Sequence, residues 1–219
     1  MPPIIRQGVV SDIGPAADLI ATAFNSLDAA RYLVPDPDDE GRRHPVMASH
    51  FRLILEDALT KGVIDVIDDG RIGDDIDVRL DLGPVPAGVA VWFDLTDGPL
   101  PQLEDYDDRL ADATGEHVDR FRVLDDLFAK HHPAAPHYYL ALLAVHPGYQ
   151  CHGLGGALVN HHLTRRPDAA VYLEASSLRS AMLYGRLGWR HQGDPFRLPN
   201  GALFYPMWLS ARTDDEALR

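Results

Sequence analysis

The stretch His146–Leu158, HPGYQCHGLGGAL, places four of the chain's 18 glycines within nine positions. It follows Tyr138–Val145, YYLALLAV, eight residues without a charge, which read as a central strand buried on both faces. Downstream, Leu154, Ala157, Leu158 and His161 recur at helical spacing, and the helix runs to about Arg166. A strand, a glycine turn and a helix therefore follow one another. Glycines at 153, 155 and 156 permit backbone conformations closed to other residues and leave bare N–H groups at the helix start. Such a terminus attracts anions without needing a lysine. Glycine turns also serve close strand–helix packing, so the spacing alone fits either role.

Outward from this segment the pattern is mixed. Ile4–Val10 reads as a first strand, and Ser11 or Asp12 caps a helix whose apolar face is Ile13, Ala16, Ala17, Ile20 and Phe24. Residues Leu33–Pro45 form a polar, proline-broken loop. A second helix follows, with Met47, Phe51, Ile54, Leu55 and Leu59 on one face and Gly62 as its stop. Val63–Ile67 and Gly88–Leu95 read as strands around the acidic turn region Asp68–Asp77. Asp97–Pro136 is acidic and helical in pattern, with Leu124, Leu127 and Phe128 as its apolar cluster. After the glycine segment come a strand (Ala170–Ala175), a helix capped by Ser176 or Ser177 and closed by Gly188, and two strands around Pro199-Asn200-Gly201. Pro206 cannot donate to a ladder and marks an edge or a bulge. The order β-α-α-β-β-(helical insert)-β-α-β-α-β-β predicts one mixed α/β domain over 1–219.

Composition narrows the function classes. With 20 basic and 33 acidic residues the net charge is −13, which argues against binding a nucleic-acid backbone. A negative field favours cationic ligands such as amines, and acidic loops also serve solubility. No apolar run approaches the ~20 residues of a membrane span. MPPIIRQGVV lacks the form of a signal peptide. The single cysteine, Cys151, fits a reducing compartment. A cytoplasmic protein with no membrane partner is expected.

Two nucleotide motifs fail on the letters. Gly155 and Gly156 lead into Ala157 and Leu158, not into the Lys-Ser/Thr of a Walker A loop. The dinucleotide pattern G-x-G-x-x-G/A would end here in Leu158, although Glu174, about twenty residues on, imitates its ribose-binding acid. Regular βαβ repeats are also missing.

Val145-His146-Pro147 followed by Gln150-Cys151-His152-Gly153-Leu154-Gly155 is similar to the V-x-P and Q/R-x-x-G-x-G/A pattern of the GCN5-related N-acetyltransferases. Ser177, Ser180, Tyr184 and Leu187-Gly188-Trp189 resemble the family's N-x-x-A-x-x-x-Y-x-x-(L)-G-F/W pattern. Arg31–Pro37 looks like a subset of these enzymes, and the element order resembles the fold except for the insert at Asp97–Pro136. The resemblance implies a mixed, mostly antiparallel sheet flanked by helices, with acetyl-CoA as donor and no metal. It implies that the backbone of Leu143, Ala144 and Val145 bonds the pantetheine arm. By the same resemblance Gln150, Cys151, His152, Gly153, Leu154, Gly155 and Gly156 hold the pyrophosphate, and Ser177 and Ser180 line the thiol end.

Amide formation from a thioester needs an unprotonated amine and a proton for the departing thiolate. Tyr184, with a phenol that ordinarily titrates near ~10, fits the general acid. Ser177, Ser180 and Tyr184 share one helical face. No base is named: Glu174, His137 and His146 are the titratable groups nearby, and a free amine or an ordered water would also suffice. His152 stands where a Lys or Arg is usual, and Ser177 replaces the usual Asn. His131-His132 and His161-His162 lack a metal-ligand pattern and are expected at the surface, whereas Trp92 and Trp208 are expected in the core. The expected activity is acetyl transfer from acetyl-CoA to a primary amine of a small molecule or peptide, by direct attack in a ternary complex. The acceptor would lie between Asn25–Pro45, the late hairpin and the insert, and the reading admits a homodimer. Its rivals are a non-catalytic acyl-CoA-binding module and a dinucleotide enzyme.

Overall fold

A computed structural model describes residues 2–35, 40–69, 85–101, 103, 105–166 and 168–211. Its framework is an eight-stranded sheet: β1 (Ile5–Gln7), β2 (Gly62–Ile67), β3 (Gly88–Leu95), β4 (His137–Val145), β5 (Val171–Ala175), β6 (Arg190–His191), β7 (Phe196–Arg197) and β8 (Leu203–Leu209). The order is β1-β2-β3-β4-β5-β8-β6, with β7 on β8. Every pairing is antiparallel except β4–β5. The mixed, mostly antiparallel architecture is as expected.

Helices cover both faces. α1 (Ile13–Phe24), α2 (Asp28–Leu33), α3 (Glu40–Lys61), α4 (Tyr106–Thr114) and α5 (Val118–His131) close one core, around residues such as Leu19, Ile20, Leu55, Val91 and Phe121. α6 (Leu154–Leu163) and α7 (Leu178–Arg186) close the other, around Trp92, Leu158, Leu173 and Trp189. The insert is helical because Phe121 and Leu124 bury one face of α5 while Leu110 anchors α4. An Arg109–Glu56 ion pair joins α4 to α3.

Several boundaries differ from the sequence reading. β1 stops at Gln7, because Asp12 accepts the Val9 N–H at 2.8 Å and folds Val10–Asp12 into a 3₁₀ turn. Asp12 therefore caps this turn instead of α1. A short helix, α2, ends at Leu33, where the polar loop is expected to begin, and α3 starts inside that loop at Glu40 with Pro45 within it. β4 is not buried on both faces: alternate residues such as Ala141, Leu143 and Val145 remain partly exposed, since one edge of the strand opens on a cavity. Pro206 lies on an inner strand. Its carbonyl accepts from Gln192 N–H at 2.9 Å, so its donorless nitrogen faces the end of short β6, where proline forgoes only the reciprocal bond of that pair. His162 is buried, stacked on Trp92 at 4.0 Å with Asp65 alongside. Most of the acidic turn region, together with Asp36 and Pro37, lies outside the described residues.

Gly62 opens β2 where backbones approach closely: a Cβ there would sit 2.3 Å from the Trp92 carbonyl. Gly62→Ala is expected to cost about 1–3 kcal/mol through forced displacement of β3. Urea denaturation of the two proteins, with an unchanged slope and a lower midpoint, checks this.

Candidate active site

Parallel strands β4 and β5 pair at only two positions, Tyr138 with Val171 and Tyr139 with Tyr172. Beyond these they part, while β5 stays bound to β8 as far as Ala175. On the opposite edge of β4 the register with β3 shifts between Val91 and Trp92, which leaves Ala141 as an extra residue. Such a bulge bends the strand that carries it.

Alternation along β4 decides which backbone groups reach the gap. Ala144 pairs with Val89, and the next-but-one N–H, of His146, donates to Ala87 at 2.9 Å. The groups of Ala144 thus face β3, and those of Leu143 and Val145 face the gap. Of the three residues expected along the pantetheine arm, Ala144 has its polar groups turned away. The Val145 carbonyl is approached by Gln150 Nε2 at 3.3 Å.

The glycine segment follows as a short 3₁₀ turn (Pro147–Tyr149) and a tight bend into α6. Tyr149 is fully buried, and its hydroxyl donates to Asp69, tying the turn to the end of β2. Cys151 and Gly153 both take left-handed φ, +67° and +80°. Left-handed residues within a turn aim successive N–H groups to one side as an anion nest. The first helical bond runs from Ala157 N–H to the Gly153 carbonyl, so among the described residues the N–H groups of Leu154, Gly155 and Gly156 have no backbone partner. A Cβ on Gly156 would meet nothing within 4 Å. Among the described residues no atom accounts for the missing side chain there, and the space above the helix terminus could take a ligand. Exposed His152 turns its ring back to the Gln150 carbonyl at 2.9 Å. A guanidinium stands beside the turn: Arg179 Nη2 reaches Cys151 Sγ at 3.1 Å. Arg179 was missed in the sequence, where its only signal is its place beside Ser180 in the first turn of α7.

The gap continues through the sheet as a cavity of about 1080 Å³. On the α6–α7 side it is lined by Gln150, Cys151, Gly153–Gly156, Ser177, Ser180 and Tyr184. Leu143 and Val145 line it as well, so of the residues expected at the site only Ala144 and His152 do not. Ser177 and Ser180 form a reciprocal capping box: each hydroxyl accepts the other's N–H, at 3.1 Å. Their oxygens therefore shape the start of α7 first. Tyr184 is buried against Trp189, and burial holds its phenol well above the ordinary tyrosine range, so it stays protonated.

On the α3–α5 side the cavity becomes an aromatic chamber with Phe51, Phe93, Phe128, Tyr139 and Phe204. His50, Asp125 and Glu174 are among the titratable groups that line it. Burial pushes His50 down to about 4. Burial also pushes Asp125 up to about 6, with Asp126 and Asp107 adding to the effect, although it accepts the Tyr106 hydroxyl at 2.8 Å. Among the described residues no group of three or more His, Cys, Asp or Glu side chains is placed to hold a metal. No described helix is long and apolar enough to cross a membrane.

Residues 130–211 match the family model described as an acetyltransferase (GNAT) domain. Among solved structures the chain is similar to one described as histone acetyltransferase HPA2 and related acetyltransferase, from Corynebacterium glutamicum. Identity is 28%, the TM-score is 0.68, and 97% of this chain and 98% of that one are covered. The fold is also that of arylalkylamine N-acetyltransferase 2 from Aedes aegypti, at 14% identity and TM-score 0.60, covering 95% of this chain and 99% of that one. It is shared too with the NatC complex solved bound to Gag peptide and CoA, at 15% identity and TM-score 0.50, covering 96% and 99%.

The buried His50 has a pH consequence. Its folded pKa lies below the unfolded value of 6.5, so its contribution to stability is present above pH 6.5 and is lost as pH falls towards about 4. Asp125, shifted the other way, opposes this slope. The stability difference between wild type and His50→Leu is therefore expected to move against wild type by on the order of 3 kcal/mol between pH 7 and pH 4. Urea midpoints at the two pH values check it.

Proposed function

We propose that this chain, whose residues 130–211 match the acetyltransferase (GNAT) domain model, moves the acetyl group of acetyl-CoA to a primary amine by direct attack in a ternary complex. The observation that carries the reading is the combination of a parted β4–β5 edge with an open, unpaired helix terminus at one end of it. The groove offers what a CoA thioester requires. N–H groups from Cys151 to Gly156, aided by Arg179, would hold the pyrophosphate. The edge groups of Leu143 and Val145 would take the pantetheine amides as an added strand. Acetyl-CoA would bring an activated acyl group to the middle of the sheet. Tyr184, neutral and buried at that depth, would hold the proton needed by the leaving sulfur.

The acceptor would enter the aromatic chamber on the opposite face. Its walls come from α2 and the residues before it, from the late hairpin through Phe204, and from the insert through Leu103, Tyr106, Leu124 and Phe128. This placement gives the insert a role in acceptor binding, and its aromatic lining suits a small amine with an apolar body. We further propose that the described residues act as one acyltransferase domain.

Released thiol, followed with a chromogenic disulfide across a panel of primary amines, tests the activity. Tyr184→Phe is expected to lower kcat about 10²-fold or more with little change in acetyl-CoA affinity. Arg179→Ala is expected to weaken that affinity and leave kcat nearly intact. Unchanged turnover in Tyr184→Phe would remove its role. Acetyl-CoA binding with no thiol release from any amine would instead favour the non-catalytic module, and a melting temperature raised by NAD but not by acetyl-CoA would revive the dinucleotide reading.

A further inference from the structure

Glu174 lies two residues beyond the last β4–β5 pair, at the point where the strands part. Its neighbours Leu173 and Ala175 face the α6–α7 core, so its carboxyl points to the opposite face, where the aromatic chamber lies. The side chain is 1% exposed, and Oε1 has no hydrogen-bond partner among the described residues. An unpaired buried carboxylate oxygen is costly unless something else meets it. The nearest basic group is His132, just past the end of α5, with Nδ1 3.7 Å from Oε1 and a quarter of its side chain exposed.

The protonation pattern behind His132 follows from its partners. Buried His137 places Nδ1 2.6 Å from the Ala135 carbonyl, which only accepts, so Nδ1 carries the proton and Nε2 a lone pair. Burial also keeps His137 below the ordinary histidine range. His132 Nε2 lies 3.1 Å from that lone pair and must donate to it. The free lone pair of neutral His132 is thereby left on Nδ1, facing Glu174. The remaining groups around the carboxyl are the phenols of Tyr139 on β4 and Tyr172 on β5, both raised by burial and then by the Glu174 charge, with Asp125 of α5 beyond Tyr139.

We propose that Glu174 is the general base for the acceptor amine and that His132, oriented by His137, carries the proton on to solvent. The proposal rests on the amine-acetylating function above. The acceptor enters as an ammonium, and one of its protons passes to the Glu174 carboxylate and then to His132 Nδ1. The freed nitrogen lone pair forms the C–N bond at the thioester carbonyl, and the C–S bond breaks with its electron pair on sulfur. Sulfur takes the Tyr184 proton, and the second proton shed by nitrogen restores Tyr184 through solvent. One proton per turnover leaves by His132. Base and acid thus stand on opposite faces of the sheet, with the gap between them.

Glu174→Gln, close in shape, tests the base. It is expected to lower kcat about 10²–10³-fold, leave acetyl-CoA affinity unchanged, and show a rate that climbs tenfold per pH unit as the free amine fraction grows. His132→Asn is expected to lower kcat about tenfold and to recover with added imidazole, a response that a packing role would not give. If Glu174→Gln does not fold, Glu174→Asp takes its place, with a reduced kcat on the wild-type pH profile. Independently of turnover, ¹⁵N shifts of the histidine rings at neutral pH are expected to place the His132 proton on Nε2. Full activity in Glu174→Gln, or a His132 proton on Nδ1, overturns this proposal and leaves the proposed function standing. A wild type that acetylates no amine overturns both.

Discussion

An inner strand of a sheet normally meets a partner along both edges, and β4 does so for only its first residues. After Tyr139 its edge towards β5 runs free, which would be a liability if nothing ever covered it. Two features hold the edge open. The extra residue at Ala141 bends β4, and the five-residue ladder with β8 holds β5 on its own line. Each functional group is positioned by this divergence: the glycine turn at the far end of β4, α7 immediately after β5, and the chamber where the gap meets the opposite face.

The glycine turn resolves a conflict set by composition. A chain of net charge −13 has little cationic surface for a phosphate-bearing ligand. In the proposed function the backbone N–H groups at the start of α6 would do the work instead, and their partial charges are independent of side chains. The cost is visible in the left-handed backbone of Cys151, an uncommon conformation for a residue with a Cβ, and in Gly156 within a helix without a packing reason. Arg179 adds one cation from a different element. Local rules give way here, as they do at sites where geometry is held for a ligand.

The insert serves packing and, in the proposed function, the acceptor site. The apolar face of α5 closes a core through Phe121 and Leu124, while its far end brings His132 to Glu174 and its middle presents Asp125 and Phe128 to the chamber. Burial disfavours the charged form of each group, which is why His50 moves down and Asp125 moves up from their ordinary titration ranges.

Periodicity and turn chemistry made most elements legible: the helical face of α1, the strands β2, β3 and β5, the cap at Ser177 and the glycine turn all depend on residues close in sequence. Boundaries failed where a distant or competing contact won, as when Asp12 folded back on Val9, or where a proline was accommodated inside α3. The sequence by itself determined the order of the elements and a donor loop of bare N–H groups, since those follow from residue type and local spacing. The parting of β4 from β5, the placing of Arg179 beside Cys151, the burial of His162, and the meeting of Glu174 with His132 across 42 residues were decided only by the tertiary structure. Each depends on where independently folded segments come together, and no local propensity encodes that.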